Sequence, residues 1–158
     1  MQNSNSLNKS GNKYKNTYVE FNSIKFKSKL EANCYRLFLE NGYELQYEKF
    51  PTKLLTSFKP KMNLFLPDKK AKGLVKTTRT ILGIDYNVDF YLPLNINNRV
   101  VHVFIETKGM PNDVYPLKKK LFIKKLETIS LNPEDLYFFE VRNIKQIHQA
   151  IEVIKSIN

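Results

Sequence analysis

The chain has 158 residues, 42% hydrophobic and 13% aromatic, enough for one domain with a real core and too few for two catalytic units. No apolar run is long enough to span a bilayer, no charged-then-apolar leader opens the chain, and the lone Cys34 excludes an internal disulfide or a cysteine metal cage. A protein of the cytoplasm with no membrane partner is expected (the host cytoplasm, if the chain is phage-encoded). Lys and Arg number 26 against 15 acids, a net charge of +11, with +5 over residues 1–30 and +7 over 51–84 but only +1 over 85–158. Two concentrated basic tracts point to a polyanionic partner, and charge alone leaves DNA, RNA and an anionic surface open.

Residues 1–16 are rich in Asn, Ser and Lys and read as a disordered arm ahead of one domain over 17–158. Tyr18–Phe26 reads as a small hairpin turning at Asn22–Ser23. Ser28 and Glu31 have the spacing of a capping box, and Leu30, Cys34, Leu37 and Phe38 recur at helical period until Asn41-Gly42. Tyr43, Leu45 and Tyr47 alternate with polar residues, as in a strand. From about 51 to 83 the pattern is loose, basic and broken by Pro60 and Pro67, as in an insertion with a hairpin of its own.

Ile81–Leu92 reads as a strand, Pro93–Asn98 as a turn, and Val100–Thr107 as an apolar, central strand. Pro116 suits the first turn of a helix with apolar Leu117, Leu121, Phe122, Leu126 and Ile129. Leu136–Val141 reads as a strand, and Asn143 caps a last helix carrying Ile144, Ile147, Ile151 and Ile154. This order predicts an α/β or α+β sandwich around a mixed sheet.

The chemistry concentrates in the middle strands. Glu106 and Lys108, two apart in a strand, share a face. The short connection at 93–98 pairs this strand antiparallel with the one holding Asp89, which then lies beside Glu106. Two carboxylates and a lysine suit Mg²⁺, which there would polarise a phosphoryl oxygen and lower the pKa of an attacking water, with Lys108 orienting that water or offsetting transition-state charge. A lone Glu-x-Lys is ordinarily a solvated pair, but this one sits in the most apolar strand of the chain, followed by Gly109. Asp85 shares the parity of Asp89 as an auxiliary acid, whereas His102 reads as a core or edge residue, His148 as solvated on the last helix and Cys34 as core filler.

Asp89, Glu106 and Lys108 together resemble the signature of the PD-(D/E)XK nuclease superfamily, with Val88 where that motif often has proline. The resemblance spans roughly residues 20–127. SKLEA at 28–32, YELQYE, YNVDFYLP and VFIETKG are similar to junction-resolving phage endonucleases of the endonuclease I type, and ETKGMPNDVYPLKKKLF to a phage family of endonuclease-like proteins of unknown function.

The resemblance implies a restriction-endonuclease-like mixed central sheet flanked by helices. It also implies a Mg²⁺-dependent DNA endonuclease, with Mn²⁺ as a substitute, that hydrolyses phosphodiesters in branched or Holliday-junction DNA as a homodimer. Glu31, Asp89, Glu106 and Lys108 would be catalytic. Asp89, Glu106, Glu31 and the Thr107 carbonyl would hold metal, although Glu31 has an equally good reading as a helix cap. Lys59, Lys61, Lys69, Lys70, Lys72, Lys76 and Arg79 of the insertion, with Lys118, Lys119 and Lys120 of the next helix, would grip phosphates without reading bases. Transposon-end or homing-type cleavage, or a non-catalytic DNA-binding accessory, are the alternatives.

Overall fold

Asn22 and Ser23, both at positive φ (51° and 60°), make the tight turn between β1 (Val19–Phe21) and β2 (Ile24–Phe26). This hairpin opens a computed structural model that describes residues 18–109 and 113–157. The arm expected at 1–16 lies outside those residues. Ser28 then caps α1 (Lys29–Glu40): its hydroxyl accepts from the Glu31 amide at 3.1 Å and donates to the Glu31 carboxylate at 2.9 Å. The helix stops at Asn41, and Gly42 supplies the left-handed φ of 83° that lets the chain turn away.

The remaining elements are β3 (Gln46–Tyr47), β4 (Pro51–Leu55), β5 (Leu64–Asp68), β6 (Gly73–Thr77), β7 (Ile84–Asn87), β8 (Phe90–Ile96), β9 (Arg99–Thr107), α2 (Tyr115–Ile129), β10 (Leu136–Val141) and α3 (Ile144–Ile157). The fold is α+β. Its centre is a mixed four-stranded sheet in the order β10-β9-β8-β3, with β10 parallel to β9 and the other pairs antiparallel. The crossover from β9 to β10 passes through α2, as a parallel pair requires.

Strand alternation splits the core in two. Phe90, Leu92, Val103 and Ile105 face α1 and α3, meeting Cys34, Phe38, Ile147 and Ile151. Phe104 faces the other way, against Tyr86, Tyr115, Phe122 and Leu126. Each fully buried Phe or Ile contributes about 1.5–3 kcal/mol through removal from water, so both faces help hold the sheet. Among the described residues no helix is long and apolar enough to cross a membrane.

Four expectations need correction. The strand expected over 81–92 breaks at Val88–Asp89: β7 pairs with β4, and the chain then switches sheets to pair with β9 as β8. The switch is pinned by the Asp89 carbonyl, which accepts from the Glu48 amide at 2.8 Å, and by Asn87, whose side chain donates to the Glu48 carbonyl at 3.0 Å. The turn expected at 93–98 shrinks to Asn97–Asn98, both at positive φ, because β8 continues through Pro93. Pro93 is tolerated since β3 covers only Phe90 and Tyr91 and leaves the rest of that edge open.

The strand expected around Tyr43–Tyr47 contributes only Gln46 and Tyr47 to a ladder, although its burial still alternates. In α2 the buried positions are Tyr115, Phe122 and Leu126, whereas Leu117, Leu121 and Ile129 face solvent. The expected insertion is two ribbons: β4 with β7 as a stem, then β5 with β6 as a hairpin. An isolated Phe58–Ile81 bridge lies between them.

Candidate active site

Phe90 pairs with Ile105. The ladder ends there, and Asp89, in the bend one residue before β8, stands beside the Glu106–Thr107 end of β9, where the Thr107 amide reaches its carboxylate. The two acids line a cleft of about 630 Å³, together with Lys108, Thr107, Tyr86, Tyr115, Lys118, Asp85 and Glu31. A groove of about 710 Å³ beside Lys25 and Gln46 is larger, but Glu44 is its one carboxylate, so volume does not mark the chemistry.

Glu106 is 3% exposed. Tyr86 donates its hydroxyl to one carboxylate oxygen at 2.7 Å, and the Lys108 amine donates to the other at 3.1 Å. Lys108 also lies over the Tyr115 ring, 4.1 Å from its centroid, so a cation–π contact fixes the far side of the amine. The Thr107 amide (2.8 Å) and hydroxyl (2.7 Å) both donate to Oδ2 of Asp89. Oδ1 of Asp89 makes no hydrogen bond among the described residues and is left for the cleft.

Burial, and then the neighbouring Glu106 charge, push the Asp89 carboxyl up to about 7; the two Thr107 bonds oppose the shift and Glu31 adds to it. Burial, and next the Glu106 charge, raise the Tyr86 phenol, which keeps it a proton donor. The pair of acids is therefore short of positive charge: among the described residues, Lys108 is the one amine bonded to it.

The resemblance implies a divalent cation here, and the donor set fits one. Two crowded carboxylates, an oxygen without a hydrogen bond among the described residues and a deficit of positive charge are what a hard cation relieves. The fit is to two acids rather than three. Among the described residues no group of three or more His, Cys, Asp or Glu side chains is placed to hold a metal ion. Glu31, expected as a third acid, lines the cleft but is occupied. Its oxygens accept from the Ser28 hydroxyl (2.9 Å), the Lys27 amide (2.9 Å) and the Tyr47 hydroxyl (2.6 Å). It acts as the helix cap and contributes to the site through its charge.

The expected cations divide. Lys118 lines the cleft, its amine bonded to the Asp85 carbonyl at 2.9 Å. Lys119 is turned to Glu140 at 2.6 Å, so its charge is already paired. Glu140 also binds Arg142 (2.5 Å) and Tyr115 (2.9 Å); although burial opposes it, these bonds bring the carboxyl down to about 2. Lys120 is exposed on α2, and Lys59, Lys61, Lys69, Lys70, Lys72, Lys76 and Arg79 are exposed along the insertion, away from the cleft wall. Asp85 is exposed at the cleft margin, His102 is occupied by the Tyr91 hydroxyl at 2.7 Å, and His148 is exposed on α3.

Sequence reasoning missed Tyr86, Tyr115 and the Thr107 side chain as supports of the acids. Tyr86 lies on β7, outside the β8–β9 ladder, so no spacing rule could place it against Glu106. No curated protein and no solved structure matches the chain. A family described as "Protein of unknown function (DUF1064)" matches residues 11–145, most of its length. The chain belongs to the DUF1064 family.

Proposed function

We propose that the protein is a divalent-metal-dependent DNA endonuclease that hydrolyses phosphodiester bonds, with branched DNA as its preferred substrate. One observation carries the reading: Asp89, one residue before β8, and Glu106 on β9 converge with Lys108 in a cleft that Lys118 borders. A cation held by the two carboxylates, with the Thr107 carbonyl as a further oxygen donor, would supply Lewis acidity toward a phosphoryl oxygen.

The protein's own groups do the rest. Tyr86 and Lys108 fix the Glu106 carboxylate, and Thr107 fixes that of Asp89, so neither must reorganise when a phosphate arrives. The Lys108 amine is placed to hold an attacking water or to donate to oxygens that gain charge as the water adds to phosphorus. Lys118 and Lys27 border the same cleft and supply attraction for the flanking backbone. Resolving a four-way junction needs two incisions, which a homodimer would provide from two such clefts.

The test is a cleavage panel of four-way junction, flap and linear duplex, each with Mg²⁺, Mn²⁺ or chelator. Metal-dependent incision is expected, greatest on branched DNA, and Asp89→Ala, Glu106→Ala and Lys108→Ala should each remove it. Undiminished cleavage by these variants, or cleavage in chelator, overturns the proposal.

A further inference from the structure

The β5–β6 hairpin is an isolated ribbon. Its strands pair with each other and, among the described residues, with no other strand. A two-stranded hairpin of this kind is marginal in water unless something packs on it. Its register sets Phe65 against Lys76 and Pro67 against Leu74 on one face, and Leu64 against Thr77 and Leu66 against Val75 on the other. Phe65 is 53% exposed and Leu74 70% exposed, so the first face is an apolar strip lying in solvent.

That strip is set in a strongly basic frame. Residues 59–79 hold six Lys and one Arg against Asp68, and Lys69, Lys70 and Lys72 crowd the tip. A second copy of this basic arm would be repelled by it; a polyanion is not. Neither β5 nor β6 carries Arg, Asn or Gln, whose two-pronged hydrogen bonds are the most selective readers of base edges. Aromatic and aliphatic side chains between cations instead suit the flat, sequence-independent faces of bases. The ribbon is also continuous with the cleft: β6 leads through the Phe58–Ile81 bridge into β7, which ends two residues before Asp89. The 12 residue-to-residue steps from Thr77 to Asp89 span at most about 40 Å, roughly one turn of duplex.

We infer that the β5–β6 hairpin is a base-stacking wedge: Phe65, Pro67 and Leu74 pack against the face of a base pair left open where a duplex is interrupted, while Lys69, Lys70 and Lys72 hold the phosphates on either side. The inference rests on the DNA reading above and deepens it, because it places the preference for interrupted DNA in the arm rather than in the cleft. A continuous duplex must unstack before these side chains enter, whereas a nick or branch is already open.

Fluorescence anisotropy in chelator, with the full chain and a labelled duplex that is continuous, centrally nicked or joined as a four-way junction, measures binding without cleavage. Interrupted DNA should bind about tenfold or more tightly than continuous duplex. The double variant Phe65→Ser/Leu74→Ser, altered only at exposed positions, should lose that preference while keeping its affinity for continuous duplex and its salt dependence. The triple variant Lys69→Ala/Lys70→Ala/Lys72→Ala should keep the preference and lower the slope of log affinity against log salt by roughly 3.

A 2-aminopurine beside the nick should change fluorescence with the wild-type protein and not with the double variant. Retained preference in the double variant overturns the inference. So does a sedimentation result in which that variant changes only the oligomeric state, which would make the arm a protein contact. Binding to none of the DNAs would sink the nuclease reading itself, whereas DNA binding indifferent to the arm sinks the wedge alone.

Discussion

Asp89 offers a direct test of whether the cleft is built at the expense of the fold. Its carboxyl is moved from 3.8 to about 7, chiefly by burial and then by Glu106. The folded protein thus binds this proton more tightly than the unfolded chain does. The resulting stability is present below about pH 4 and drains away as pH rises to about 7. At 1.36 kcal/mol per unit the loss has a ceiling of about 4 kcal/mol, and solvent in the cleft reduces it to about 2.

Asp89→Asn removes the charge but not the anchoring. Both Thr107 donors reach the single oxygen Oδ2, which the carboxamide oxygen can replace. In chelator at about pH 8 the variant should therefore melt roughly 5 °C above the wild type, with no difference near pH 4. Mg²⁺ should raise the wild-type melting temperature and leave that of the variant unmoved. Thermal melts across pH, with and without Mg²⁺, decide the matter. A variant less stable than the wild type at about pH 8 would refute the reasoning, because the buried acid pair would then be no burden to the metal-free fold.

Tyr86→Phe takes one donor from the buried Glu106, and urea unfolding should show a loss of about 1–3 kcal/mol together with weaker cleavage. Glu140→Gln removes a carboxylate whose folded pKa of about 2 lies below its ordinary 4.5. Its contribution is present above about pH 4.5 and lost as pH falls toward 2, so a deficit of about 1–2 kcal/mol at neutral pH should vanish in acid unfolding curves. At Gly83 an added Cβ would stand 2.6 Å from the Leu55 carbonyl oxygen, so Gly83→Ala should lower stability by about 1–3 kcal/mol in the same assay.

Local signals made much of this architecture readable. The Ser28 cap, the hairpin at Asn22–Ser23, β10 and the Asn143 cap of α3 each follow from a few neighbouring residues, and all four stand as expected. The placement of Asp89 beside Glu106 was legible because strand parity and a short turn determine it together. What escaped depends on contacts distant in sequence. Whether Ile81–Leu92 is one strand or two is decided by Glu48 and Thr107, which hold Asp89 where the chain changes sheets. The α2 stripe misled because Leu117, Leu121 and Ile129 are apolar yet uncovered, and periodicity cannot tell a buried face from a bare one. Glu31 carries two meanings in one position: three donors hold it at the helix start, and it also lines the cleft.

The two-residue bend at Asn97–Asn98 lies eight residues from Asp89 on one side and eight from Glu106 on the other, yet it governs both. β8 and β9 are joined by nothing else, and the ladder runs without interruption from Ile96–Arg99 to Phe90–Ile105. Adding or deleting a single residue at that bend would slip the pairing by one and exchange the roles of inward and outward side chains along one strand. Glu106 would then point into the greasy layer under α1, and Asp89 would face Ile105 or Thr107. The loop's length is in effect part of the cleft: with both bend residues left-handed, Gly or Asp should replace either Asn at little cost, β-branched residues should not, and no change in residue number should be tolerated.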